Sequence, residues 1–241
     1  MSEKNIPYLD TMDRTKRILE IGPLSNPMVA KTKDTPHVYY ADIRSTEGVK
    51  GLYQGDATVT ERQIADIDFI IETSYAETFR DVEPFDYVLM RHVIEHVPEL
   101  IRFFLDVATV LKEGGKLCLT VPDARYSFDH YRMPTSFAEL YDIYRRGEKT
   151  SPARVLDYAL SVDMSSNPEK REGIATDRYH VPNGHGTARE AIRLYDAAAG
   201  GETFDAHYSV FSPATFLLNL YYLTEAGLFP YELSDFQVPD G

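Results

Sequence analysis

The stretch FDYVLMRHVIEHV, residues 85–97, together with LKEGGKLCLTVPD, residues 111–123, decides how the rest of the chain is read. Pro84 introduces the apolar run Phe85 to Met90, which has the length and composition of a buried strand. A turn carrying Arg91 and His92 follows. Pro98, a residue favoured in the first turn of a helix, then opens a segment with apolar side chains at Ile101, Phe104, Leu105, Ala108 and Leu111. That spacing predicts a helix that stops at Gly114 and Gly115, where glycine supplies a left-handed C-terminal residue. Lys116 to Val121 reads as the next strand, closed by Pro122. Strand, helix, strand in this order predicts parallel neighbours in an α/β sheet.

Working outward, Arg17 to Ile21 (RILEI) is a short apolar run closed by Gly22 and Pro23, and His37 to Ala41 (HVYYA) is another, ending at Asp42. Asn26 to Lys33 between them leaves room for only a short helix. Ile67 to Ile71 supplies a further strand. From Asp123 to about Tyr208 the pattern turns polar and tyrosine-rich, with helical stretches near Ser136 to Arg145, Pro152 to Val162 and Ala188 to Ala199. A well-marked helix begins at the cap Ser212 with Pro213 behind it and stops at Gly227. About Tyr231 to Gln237 reads as a sixth strand. The expectation is one domain over 1–241: a cofactor-binding core in 1–123, a helical insertion or lid in 124–208 and the end of the core in 209–241.

Composition narrows the function. The 241 residues, 43% of them hydrophobic, suffice for one substantial core. A formal charge of −13 repels a phosphate backbone, and no lysine- or arginine-rich stripe opposes it, so nucleic acid is not an expected partner. The single cysteine, Cys118, sits in an apolar run and reads as a small core hydrophobe in a reducing compartment. The longest apolar runs are far too short for a membrane span, and the start MSEKNIPYLD lacks the parts of a signal peptide. The expectation is a cytoplasmic protein without a membrane span; whether it forms homo-oligomers is left open.

Open parallel sheets bind ligands at the carboxyl ends of their strands, where the strand order reverses. Four features fall at such ends: Glu20 to Pro27, with Gly22 allowing a tight turn; Asp42, placed to accept ribose hydroxyls; Asp68 with Phe69, an acceptor and apolar wall for adenine; and Met90 to Val97. Each has a plainer reading, as a turn, a solvated strand end or an exposed edge. His92 and His96 could share a helix face as a metal pair, but the glutamate between them does not follow the first histidine, as the metalloprotease order H-E-x-x-H requires, and no metal is predicted.

LEIGP (19–23), YYAD (39–42) and the two opening motifs resemble those of the Rossmann-like S-adenosylmethionine methyltransferases. The resemblance covers about Arg17 to Asp123. It extends more loosely through RYSFDHYR (125–132) and HYSVFSPATF (207–216), which look like a bacterial subgroup associated with glycan and polysaccharide assembly. It implies S-adenosylmethionine as cofactor, a loop shaped by Glu20, Gly22 and Pro23 around the methionine part, Asp42 with its neighbour Ile43 at the ribose, Asp68 and Phe69 at adenine, and Arg91 with His92 beside the sulfonium. Two departures stand out. Leu24 and Asn26 occupy the places of the second and third glycines of the first loop, and the sequence stops at Gly241 just after the expected sixth strand, so either the chain is truncated before the family's final antiparallel strand or its sheet is completed differently.

Methyl transfer from a sulfonium is a direct displacement, and much of its rate comes from positioning. A base is needed only for a hydroxyl or a protonated amine. The candidates are His92, Tyr126, Asp129 and His207, with His180 and His185 from the stretch Asp177 to Gly186, which reads equally as a substrate loop or a plain surface loop. Tyr126, Tyr131, Tyr141, Tyr144 and Tyr179 suit sugar stacking or ordinary packing; Arg125 and Arg132 suit an anionic acceptor or ion pairs. The expected partner is a small-molecule or glycan acceptor. A nicotinamide-dependent oxidoreductase, which needs a fuller glycine pattern, and a non-catalytic binding module are the other readings.

Overall fold

The computed structural model describes residues 6–55, 59, 63–147, 150–163 and 186–238. Strands β1 (Ile18–Ile21), β2 (Val38–Asp42), β3 (Phe69–Ile70), β4 (Phe85–Arg91) and β5 (Leu111–Thr120) form one sheet in the order β3-β2-β1-β4-β5. Every pairing is parallel, with Ile21 beside Ala41 on one flank and beside Met90 on the other. Ile18, Leu19, Val88 and Leu89 are fully buried, as strands covered on both faces require. The chain runs outward from β1 to β3 and then crosses back to β4, so the order reverses between β1 and β4.

The chain divides into two compact units, Met1–Val93 with Asp106–Thr120, and Ile94–Leu105 with Val121–Gly241. The first holds the sheet and the helices α1 (Pro7–Asp10), α2 (Thr46–Leu52) and α3 (Tyr75–Thr78). Ser45 and Ser74 cap α2 and α3 by accepting from Gly48 N and Glu77 N. Helix α4 (Leu100–Ala108) spans the division. The second unit holds α5 (Phe137–Arg146), α6 (Pro152–Ser161), α7 (Ala188–Ala199) and α8 (Pro213–Glu225). Ser136 with Glu139 and Thr187 with Glu190 form the reciprocal caps their spacing predicts for α5 and α7. Tyr208, Val155, Ala198 and Ala206 make a buried cluster around α6 and α7. Residues 209–241 fall in the same unit as these helices.

Three local expectations are corrected. First, α4 ends at Ala108, and Leu111 already pairs with Phe85 as part of β5. Gly114, at φ +73°, and Gly115 serve an irregularity in that strand: a Cβ on Gly115 would lie 2.9 Å from Lys112 O and 3.1 Å from Phe85 O. Second, no helix joins β1 to β2. Leu24 adopts φ +49° between two prolines, and the Glu20 carboxylate accepts from the backbone N–H groups of Met28 (2.7 Å) and Val29 (3.1 Å), fixing an irregular loop. Third, residues 231–237 form no strand. Tyr231 donates to Phe104 O at 2.8 Å and its ring packs on Phe229, while the following residues are mostly exposed.

Among the described residues no helix is long and apolar enough to cross a membrane. Cys118 is half-buried, and burial pushes its thiol up to about 11, as suits a packing residue. Tyr179, His180 and His185 lie outside the described residues.

Candidate active site

In the first unit, the turns after β1, β2 and β4 meet at the reversal of strand order. Gly22 N donates to Ala41 O at 2.9 Å, tying the first turn to the end of β2. Gly22 adopts φ +67°, and a Cβ there would come within 2.9 Å of Val93 Cγ2, so the turn after β4 closes directly on it. Arg91 Nη2 donates to the Asn26 carbonyl, a second tie between these turns. His92, exposed, holds φ +55°, and its backbone N–H donates to Thr120 O at 3.0 Å. A left-handed histidine costs conformational energy and is held by such surroundings. Asp42 ends β2 and accepts from Arg44 N at 3.0 Å; the next side chain, Ile43, is 63% exposed.

Glu20 lies beneath this end of the sheet, only 2% exposed. Burial raises its pKa to about 7, outweighing the two backbone N–H donors and nearby Arg91. Its carboxyl organises the first loop, and Pro23 begins that loop. Tyr75 is held well above the ordinary phenol range, first by burial and then by the carboxylates of Asp106 and Asp42.

Asp68 precedes β3 and Phe69 begins it, level with Ala41 near the carboxyl end of β2. Asp68 accepts from Tyr40 N (2.7 Å) and pairs with Lys31 Nζ through both oxygens (2.6 and 2.7 Å). The ring of Phe69 packs on Tyr39 and Phe79, with centroids 5.9 and 4.9 Å away. A depression of about 350 Å³ lies at the opposite, amino end of the strands, lined by Lys16, His37, Asp86 and Lys112 among others.

The second unit gathers a separate cluster. His207 is buried; its Nδ1 lies 2.5 Å from Asp129 Oδ2, and its ring stacks near Phe128, Tyr158 and His96. Asp129, 2% exposed, also accepts from Arg132 Nη1 at 2.8 Å. Burial favours its neutral form, but His207 and Arg132 outweigh that and hold its pKa below the ordinary value. Asp129 thus carries its charge beside the His207 ring. His96 Nδ1 lies 2.8 Å from Asp205 Oδ1. Burial works against its charged form, yet Asp205, Glu95 and Asp129 keep the His96 pKa raised. The Glu95 side chain is fully buried, and its carbonyl accepts from Tyr208 N (2.7 Å) and Ser209 N (3.1 Å). Tyr126 is 52% exposed, with the Arg125 guanidinium 5.4 Å from its ring centroid. The Glu95, His96 and Asp205 part of this cluster escapes sequence reasoning, because its members come from segments far apart in the chain.

Residues 3–148 match the model of the methyltransferase domain family. The chain belongs to that family. Its activity is S-adenosylmethionine-dependent methyl transfer, which sets aside the nicotinamide reading. Among solved structures, coclaurine N-methyltransferase bound to N-methylheliamine and SAH is similar at 13% identity and a TM-score of 0.33, over 85% of this chain and 69% of that one. No curated protein matches this methyltransferase chain.

Proposed function

We propose that this methyltransferase acts in the cytoplasm on an oxygen or nitrogen of a small-molecule or glycan acceptor. The observation that carries the cofactor side is the meeting of the turns after β1, β2 and β4 at the strand-order reversal, where this class of sheet binds its ligand. The donor chemistry fits an adenosyl group: the Asp42 carboxylate takes the ribose hydroxyls, and the exposed Ile43 beside it offers an apolar wall to adenine. Gly22, Pro23 and the loop held by Glu20 receive the methionine part, with Arg91 and His92 near the reacting end.

When bound, S-adenosylmethionine supplies a methyl group on a positively charged sulfur, so the bond from acceptor to carbon forms as the carbon–sulfur bond breaks. His92, exposed in the turn after β4, accepts the proton that a hydroxyl or ammonium acceptor gives up. The charge of −13 supports a non-polyanionic acceptor. Support for a glycan comes from the segments 125–132 and 207–216, joined by the Asp129–His207 contact and flanked by the bond from Ala124 N to Phe211 O.

Thermal melting tests the cofactor: S-adenosylmethionine raises Tm and nicotinamide nucleotides leave it unchanged. In calorimetry, Asp42→Ala weakens cofactor binding by about 1–3 kcal/mol, the range for hydrogen bonds to a charged group. Unaltered affinity would remove Asp42 from the site. Incubation with a panel of hydroxyl and amine acceptors, followed by release of S-adenosylhomocysteine, identifies the acceptor class; turnover confined to polynucleotides would refute the proposal.

A further inference from the structure

We propose that Glu95, His96 and His207 form a binding site for a divalent first-row transition-metal ion, with Zn²⁺ as the reference probe. The three residues offer one ligand atom each, all within 4.8 Å of one another. Zinc bonds of about 2.0–2.2 Å place tetrahedral ligand atoms roughly 3.3–3.5 Å apart, so the group closes on an ion by movements of about an ångström. All three residues belong to the second unit.

The surroundings favour the same conclusion. His207 Nδ1 lies 2.5 Å from Asp129 Oδ2, and His96 Nδ1 lies 2.8 Å from Asp205 Oδ1. An aspartate beside each Nδ1 favours Nε2 as the metal donor of both rings. Carboxylate, histidine and metal in line is the arrangement by which outer-shell groups orient and strengthen histidine ligands. Two such pairs converge here, with ring centroids 4.5 Å apart and planes at 85°. Arg132 binds Asp129 from behind and fixes its orientation. The carbonyl of Glu95 is bonded to Tyr208 N and Ser209 N, locking the segment that carries Glu95 and His96 to the one that carries His207.

Two imidazoles and one carboxylate suit zinc and its first-row neighbours, whereas magnesium and calcium prefer oxygen ligands alone. Three protein ligands leave one tetrahedral position open to a water or an acceptor oxygen. This site stands independently of the acceptor proposed above, since its evidence is the ligand geometry alone.

The test uses the full chain, stripped with a chelator and titrated with Zn²⁺ in a calorimeter. One equivalent is expected to bind, and Asp205→Asn, at a partly exposed side chain, weakens it about 10–100-fold, as loss of an outer-shell partner does. Glu95→Gln and His207→Ala abolish the tight equivalent. Absence of a tight equivalent, or one that survives both substitutions in folded protein, overturns the proposal. Should those variants fail to fold, the wild-type protein loaded with Co²⁺ decides: the intense visible bands of a low-coordinate nitrogen and oxygen site are expected, and the pale spectrum of hydrated Co²⁺ refutes it.

Discussion

A carboxyl group sealed beneath a loop resists ionisation, and Glu20 shows the balance in one residue. Two backbone N–H groups donate to it and Arg91 lies near, yet burial raises its pKa to about 7. A folded-state pKa above the unfolded value means that the Glu20 contribution to stability is fully present below pH ~4.5 and is lost as the pH rises through ~7. A shift of this size corresponds to about 3 kcal/mol. Glu20→Gln cannot ionise and loses one acceptor at every pH. Urea denaturation should therefore show the variant gaining on the wild type by roughly that amount between pH 4 and 8, and a constant difference across the range would show that burial does not control this group. At this scale the places of Gly22, Asp42, Arg91 and His92 at the ends of β1, β2 and β4 are legible because each follows an apolar run. The bounds of β3 are less legible, because the strand is only Phe69–Ile70 and periodicity cannot locate the ends of so short a run. The cluster of Glu95, His96 and His207 is illegible for another reason: no spacing rule links side chains brought together by tertiary folding alone.

Among the elements, β1, β2 and β4 and the helices α5 to α8 are read almost to the residue, since apolar runs and helix-start residues such as Ser212 and Pro213 are local signals. Two misreadings occur where a local signal has two meanings. Gly114 and Gly115 fit a helix stop, and the structure uses them inside β5 instead. The two glycines make different predictions. Gly114→Ala meets no neighbouring atom but must hold a left-handed backbone, which costs about 1–2 kcal/mol. Gly115→Ala drives a Cβ against two backbone oxygens that cannot swing aside, so the strand itself must shift, at a cost on the order of 1–3 kcal/mol. Denaturation midpoints of both variants should fall; an unaltered Gly115→Ala midpoint would mean that β5 accommodates the methyl freely. The sixth strand fails similarly, because Phe229 and Tyr231 answer to Phe104 in the second unit and not to a sheet edge.

For the molecule as a whole, charge is the property that the sequence states without any fold. Thirty-eight acidic against 25 basic residues leave −13, a field that repels anionic acceptors and draws in cationic ones. Such steering acts over the Debye length, about 30 Å at 0.01 M salt and about 8 Å at 0.15 M. Among acceptors of matched shape, an amine-bearing compound should therefore show a higher kcat/KM than its neutral hydroxyl counterpart at low salt, and its carboxylated counterpart a lower one. Both differences should shrink together as salt is added, because they arise from approach and not from contact. Release of S-adenosylhomocysteine, followed across a salt series, measures this directly. If the carboxylated acceptor were preferred at every ionic strength, a local cationic pocket would govern recognition, and the overall charge would have no part in choosing the substrate.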